Sequence, residues 1–111
     1  MAKGYGLHCP VAQTLDVIGE RWTVMILRDL LVEGPRRFQD FIDAFDGIAP
    51  TTLSARLKSL EESGIIERRF YSDHPPRAEY LITVKGKKLG PVLMAMRKWG
   101  QEFGDGCSIS S

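Results

Sequence analysis

The stretch Pro50-Thr51-Thr52-Leu53-Ser54-Ala55-Arg56-Leu57-Lys58-Ser59-Leu60-Glu61-Glu62-Ser63-Gly64 runs straight into Ile65-Ile66-Glu67-Arg68-Arg69-Phe70-Tyr71. Pro50 can open a helix, because the first helical N–H has no partner within the helix anyway, and Ser63-Gly64 closes it. Leu53, Leu57 and Leu60 recur at i, i+4 and i+7, the spacing of one buried face. Thr51, Ala55, Lys58 and Glu62 point the other way, with Thr52, Ser54 and Ser59 on the flanks. Residues 65–71 then read as a strand, 72–77 as a turn stiffened by Pro75-Pro76, and 78–83 as the returning strand. A helix followed at once by a hairpin with Arg77 at its tip is the layout of a winged helix. The helix suits the major groove of DNA, and the hairpin suits the backbone or the minor groove.

Upstream, the chain supplies a core for that pair. Pro10 opens a first helix carrying Val11, Leu15 and Ile18. A second helix is expected from about residue 20 to 32, ended by Gly34-Pro35. Its apolar stripe of Trp22, Met25, Ile26 and Leu30, widened by Val24, Leu27 and Leu31, is broad enough for a central position. Phe38, Phe41, Ile42 and Phe45 make a short third helix closed by Asp46-Gly47. Downstream, a single long helix is expected from residue 85 or 87 to 103, with Leu89, Val92, Leu93, Met96, Trp99 and Phe103 at helical spacing. The first and last helices carry more apolar surface than so small a core covers. The expected fold class is therefore mainly α with a small β-hairpin, a winged helix-turn-helix, and homodimeric. Residues 1–8 are expected to form a flexible arm, 9–103 one DNA-binding and dimerisation domain, and 104–111 a disordered tail.

Composition bounds the function. The chain has 111 residues with 43% hydrophobic, which suits one domain. Its net charge is only +1, so any nucleic-acid binding rests on local placement of charge. No apolar run approaches the roughly 20 residues of a membrane span, and the first residues lack the apolar core of a signal peptide; a cytoplasmic protein is expected. The two cysteines, Cys9 and Cys107, form neither a disulfide framework nor a paired zinc spacing. His8 and His74 have no partners at ligand spacing, so no metal or cofactor is expected. Gly86-Lys87-Lys88 lacks the upstream glycine and the hydroxyl of a phosphate-cradling loop, and no nucleophile–base pair is visible. An enzyme is not expected.

The ordered motifs resemble the HxlR-type winged-helix transcription regulators, relatives of the MarR group. The resemblance spans residues 9–103. It rests on Cys9-Pro10-Val11, Leu15-Asp16-Val17-Ile18-Gly19 with Arg21-Trp22-Thr23, and Ile26-Leu27-Arg28-Asp29-Leu30. It continues through Gly34-Pro35-Arg36-Arg37-Phe38, Ile48-Ala49-Pro50, Leu53-Ser54-Ala55-Arg56-Leu57, and Leu60-Glu61 with Gly64-Ile65-Ile66, to Pro75-Pro76-Arg77-Ala78-Glu79-Tyr80 and Leu81-Ile82-Thr83. Each piece is weak alone, and their order and spacing make the set specific. The resemblance implies a homodimer, joined through its N- and C-terminal helices, on an inverted-repeat operator in double-stranded DNA. It also implies, for some members, a cysteine at the position of Cys9 that senses electrophiles or oxidants.

Each candidate residue has a plainer reading beside it. Pro50, Thr51, Thr52, Ser54, Ala55 and Lys58 are the expected groove-facing set; the alternative is an ordinary solvated helix face. Small and hydroxyl side chains there admit close approach to bases and phosphates. Arg56 lies beside the buried face, where a phosphate contact and an ion pair with an acidic residue are both open to it. Arg36 and Arg37 precede the third helix, where docking would put phosphates; the alternative is a solvated turn. Arg77 is the strongest charged candidate, against an exposed loop arginine. Arg68 and Arg69 point to opposite strand faces, so at most one faces DNA. Cys9 sits at a helix start, which favours a thiolate; a buried, inert interface cysteine is the commoner fate. Cys107 is open to a disulfide with Cys9 of a partner chain or to being a loose thiol. A winged helix used only for protein–protein contact is the alternative function.

Overall fold

The computed structural model describes residues 9–104. It contains α1 (Pro10–Ile18), α2 (Arg21–Glu33), α3 (Phe38–Ala44), α4 (Pro50–Glu62), β1 (Ile66–Asp73), β2 (Pro76–Ile82), α5 (Val84–Lys87) and α6 (Gly90–Phe103). The mainly helical fold with one hairpin is thus as expected from the sequence.

α2 is the central post. The Glu20 carboxylate accepts hydrogen bonds from the Trp22 and Thr23 amides at 2.9 and 3.2 Å, satisfying donors that the helix start leaves open. Gly34 ends the helix at φ 85°, a conformation in which a side chain would strain the backbone. Ile26, Leu27 and Leu30 of α2 meet Phe41 of α3, Phe45 just past its end, and Leu53, Leu57 and Leu60 of α4 in one buried cluster. α3 starts where the Asp40 carboxylate accepts from the Arg37 amide at 2.9 Å.

β1 and β2 pair antiparallel from Ile66↔Ile82 through Arg68↔Tyr80 to Phe70↔Ala78. The register then slips, and resumes at Ser72↔Arg77 and Asp73↔Pro76. Tyr71 is the extra residue of this bulge, which bends the wing and re-aims its distal end. The expected six-residue turn is therefore corrected to the two residues His74 and Pro75. Pro76 opens β2, a place where the missing N–H is tolerated. Phe70 lies 57% exposed on the hairpin. Arg36 bridges Tyr80 from the other edge of β2, with paired N–H···O bonds of 3.0 and 2.7 Å.

The expected single C-terminal helix is divided. Pro91 cannot donate to a carbonyl four residues back and its ring would crowd that carbonyl. The helix accordingly stops at Lys87 and restarts at Gly90, with proline in its first turn. α5 is fastened to the end of α4. The Thr83 hydroxyl lies 2.7 Å from the Gly64 carbonyl oxygen and 2.9 Å from that of Ile65, and Lys85 Nζ donates to the Ser63 carbonyl at 2.8 Å. α6 leans on α2 through half-buried Leu93, yet buries no residue fully. Val11 and Leu15 of α1, and Val92, Met94, Met96, Trp99 and Phe103 of α6, are exposed. The expected arm (1–8), most of the expected tail (104–111), and Cys107 with it, lie outside the described residues.

Candidate nucleic-acid interface

The candidate interface grows from the side of α4 that the core does not use. Burying Leu53, Leu57 and Leu60 leaves Pro50, Thr51, Ser54, Ala55 and Lys58 exposed and Thr52 half-buried. The first turns thus present hydroxyls, a methyl and one ammonium, with nothing bulky to hold the backbone away from a groove. Arg56 is half-buried, and its Nε is buried without a hydrogen-bond partner.

The arginines separate by what they touch. Arg36 donates from Nε to the Asp29 carboxylate at 2.8 Å, and that carboxylate is itself buried. An ion pair this enclosed is costly to break, so Arg36 ties the start of α3 to α2. A solvated turn was the alternative weighed against a phosphate contact; in the structure Nε is taken up by Asp29. Arg37 is exposed, and its guanidinium stands 5.6 Å from the Tyr71 ring centroid, which brings it to the bulge of the wing. Arg77 is exposed in β2 one residue past its start, beside the tip and not at its apex.

Arg68 and Arg69 do face opposite ways. Arg69 pairs across the strands with Glu79 at 2.9 Å. Arg68 shares the inner hairpin face with Ile66, lying 3.8 Å from the Glu61 carboxylate and 5.6 Å from the Phe70 ring. Tyr80 stands opposite it in the ladder. Burial pushes the Tyr80 phenol above its ordinary pKa, and the Arg68 charge opposes that shift. Ser54, Lys58, Glu61, Glu62, Arg68 and Tyr80 line a cleft of about 400 Å³ between α4 and the hairpin. Sequence reasoning left Arg68 undecided and did not single out Tyr80. The cross-strand pair Arg68↔Tyr80 is the signal that joins them, and it exists only once the register is known.

Away from this face, Cys9 is exposed and caps α1 through its backbone, its carbonyl accepting from the Gln13 amide at 2.9 Å. Between α2 and α6 lies an apolar groove of about 650 Å³, lined by Met25, Leu31, Leu93, Met94 and Met96 among others. Among the described residues no group of acidic, histidine and cysteine side chains could hold a metal ion, and no helix is long and apolar enough to cross a membrane.

Comparison with known proteins places this geometry. The model of the HxlR-like helix-turn-helix matches residues 17–107. An uncharacterised HTH-type transcriptional regulator of a Synechocystis species is 40% identical over 98 residues, 88% of this chain and 72% of the relative. Among solved structures, the redox regulator HypR in its reduced form aligns with a TM-score of 0.82 at 35% identity, covering 87% of this chain and 95% of HypR; its oxidised form aligns at 0.78. The reduced transcriptional regulator YodB from Bacillus subtilis aligns at 0.75 with 30% identity, covering 92% of this chain and 100% of YodB.

Proposed function

We propose a function from one premise: the chain belongs to the HxlR-like helix-turn-helix family of transcriptional regulators, related to the MarR group. That is a non-enzymatic role. In the proposed reading, residues 9–103 form one DNA-binding and dimerisation unit. Two copies hold an inverted repeat in double-stranded DNA, α4 entering the major groove and the hairpin reaching the neighbouring backbone or minor groove. The observation that carries it is the exposed row Pro50, Thr51, Ser54, Ala55 and Lys58 on a helix whose other face is fully committed to the core. Thr52 and Arg56 flank that row, and Arg37 and Arg77 supply charge from the wing side.

Dimerisation is supported by the apolar side chains left on α1 and α6. Val11 is 68% exposed, Trp99 66% and Phe103 61%, far more than an isolated domain of this size gains by showing to water. Two copies also resolve the charge problem. A net charge of +1 does not hold DNA by itself, but a few placed cations repeated by two-fold symmetry do. Arg77→Ala is expected to weaken operator and scrambled duplex alike and to flatten the salt dependence by roughly 0.9 per protomer. Fluorescence anisotropy on the two duplexes measures both; an unchanged salt slope excludes the contact.

The same reading extends to regulation. Cys9 is exposed at the start of α1, next to the apolar face offered to the partner, and solved relatives are redox regulators. A helix N-terminus favours a thiolate, and modifying it alters the surface that sets the separation of the two recognition helices. An oxidant or electrophile is thus the proposed signal. Diamide is expected to change the operator affinity of the wild-type protein, and Cys9→Ser to remove the response. A mutant that still responds in full excludes Cys9 as the sensor.

A further inference from the structure

The wing and the recognition helix do not merely sit side by side; a charged cleft separates them. Arg68 lies on the hairpin face that turns toward α4, opposite Tyr80 in the ladder. Ser54, Lys58, Glu61 and Glu62 form the α4 wall of the same cleft. In duplex DNA the major and minor grooves are divided by a single sugar–phosphate strand. A protein with a helix in one groove and a hairpin at the next must let that strand pass between them. The cleft holding Arg68 lies between those two elements, and it opens beside Ser54 and Lys58, which the recognition surface already exposes.

We propose that Arg68, together with Lys58, Ser54 and the Tyr80 hydroxyl, binds a DNA backbone phosphate in this cleft, and that Glu61 is the ion-pair partner the phosphate displaces. The inference rests on the DNA-binding reading above and adds to it a subsite. Arginine suits the role because its planar fork matches phosphate oxygens. The guanidinium already lies against the Phe70 ring, 5.6 Å from its centroid, which limits the freedom lost on binding. The existing partner is loose: Arg68 Nε and Glu61 Oε2 are 3.8 Å apart, with 46% and 35% of the two side chains exposed. An exposed pair of that length contributes little and gives way readily to a stronger anion. Arg69 is not an equivalent candidate, being held by Glu79 at 2.9 Å on the opposite face.

Anisotropy titrations of wild type, Arg68→Gln, Glu61→Gln and the double variant test this, on an operator duplex and on a scrambled duplex of equal length at several salt concentrations. Arg68→Gln is expected to weaken both duplexes roughly tenfold per subunit, the scale of a charge-assisted contact, and to reduce the salt slope by about 0.9 per subunit. Glu61→Gln is expected to tighten both, and that gain should vanish in the Arg68→Gln background. If Arg68→Gln leaves affinity and slope unchanged while wild type still binds, the subsite is wrong and the DNA reading stands. If the Glu61→Gln gain persists without Arg68, general repulsion explains it and the displaced-partner account falls. Wild type failing to bind either duplex overturns the underlying reading instead. Thermal melting of each variant separates these outcomes from loss of fold.

Discussion

Replacing Gly86 by alanine is expected to destabilise the fold by about 3 kcal/mol, at the upper end of overpacking penalties. A methyl group at this position would lie 2.3 Å from the Ile65 carbonyl oxygen and 2.6 Å from Ile82 Cγ1. The first contact is with backbone, so it cannot be relieved by turning a side chain. That same carbonyl is already the acceptor for the Thr83 amide at 3.0 Å and lies 2.9 Å from the Thr83 hydroxyl. Moving it away loosens the clasp between the end of α4 and α5. Alanine does gain about 1 kcal/mol of helix propensity over glycine, but the clash exceeds that gain. For a domain of this size the net loss lowers the melting temperature by roughly 10–20 °C. Gly90→Ala is the matched control. Beyond its chain neighbours and its own helix backbone, nothing lies within 4 Å of the added methyl, so its melting temperature should stay put or rise slightly. Melting by circular dichroism distinguishes the two; a Gly86→Ala protein as stable as the Gly90→Ala protein would show that the close approach is not a constraint.

The second large effect is on assembly. Trp99 is 66% exposed and meets Phe103 in a tilted ring contact, 5.2 Å between centroids. In a lone protomer Trp99→Glu removes little, and the change in protomer stability should stay within about 0.5 kcal/mol. In the proposed dimer each tryptophan covers on the order of 150 Å² of apolar surface, worth about 4 kcal/mol per copy at the usual coefficient. The dimer constant should therefore weaken by at least ~1,000-fold. Because the two half-sites are joined only through the dimer, operator affinity falls with it, by roughly a hundredfold or more. Sedimentation gives the first effect and anisotropy the second. A Trp99→Glu protein that stays dimeric and keeps its operator affinity places the dimer contacts elsewhere.

How far the sequence carried depended on the range of the interaction. The Leu53-Leu57-Leu60 face, its Pro50 start and its Ser63-Gly64 stop are local signals, and α4 appears where they put it. The broad stripe of α2 likewise marked the central helix. Interactions that need a register were beyond reach. The bulge at Tyr71 shortens the turn and leaves Arg77 in a strand, and nothing in the alternation of 65–71 announces it. The pairing of Arg36 with Asp29 depends on how the chain folds back after Gly34, so the arginine pair at 36–37 divided into one tie within the fold and one exposed cation. Pro91 is a local signal of the break before α6, but the apolar spacing through Leu89, Val92 and Leu93 runs across it and reads as one helix. The exposed face of α6 carries an apolar pattern as regular as that of α2, and the proposed dimer would bury it.

The central claim is that α4 and the hairpin hold DNA as a symmetric pair. The most direct measurement is an equilibrium titration of the wild-type protein on a labelled duplex selected by it from genomic fragments, repeated between low and high salt. The account predicts a saturable complex of two protomers per inverted repeat. The logarithm of its binding constant should fall linearly with the logarithm of salt concentration, with a slope near −0.9 for each phosphate neutralised. Failure to select any fragment, or a complex whose affinity does not change with salt, would contradict it.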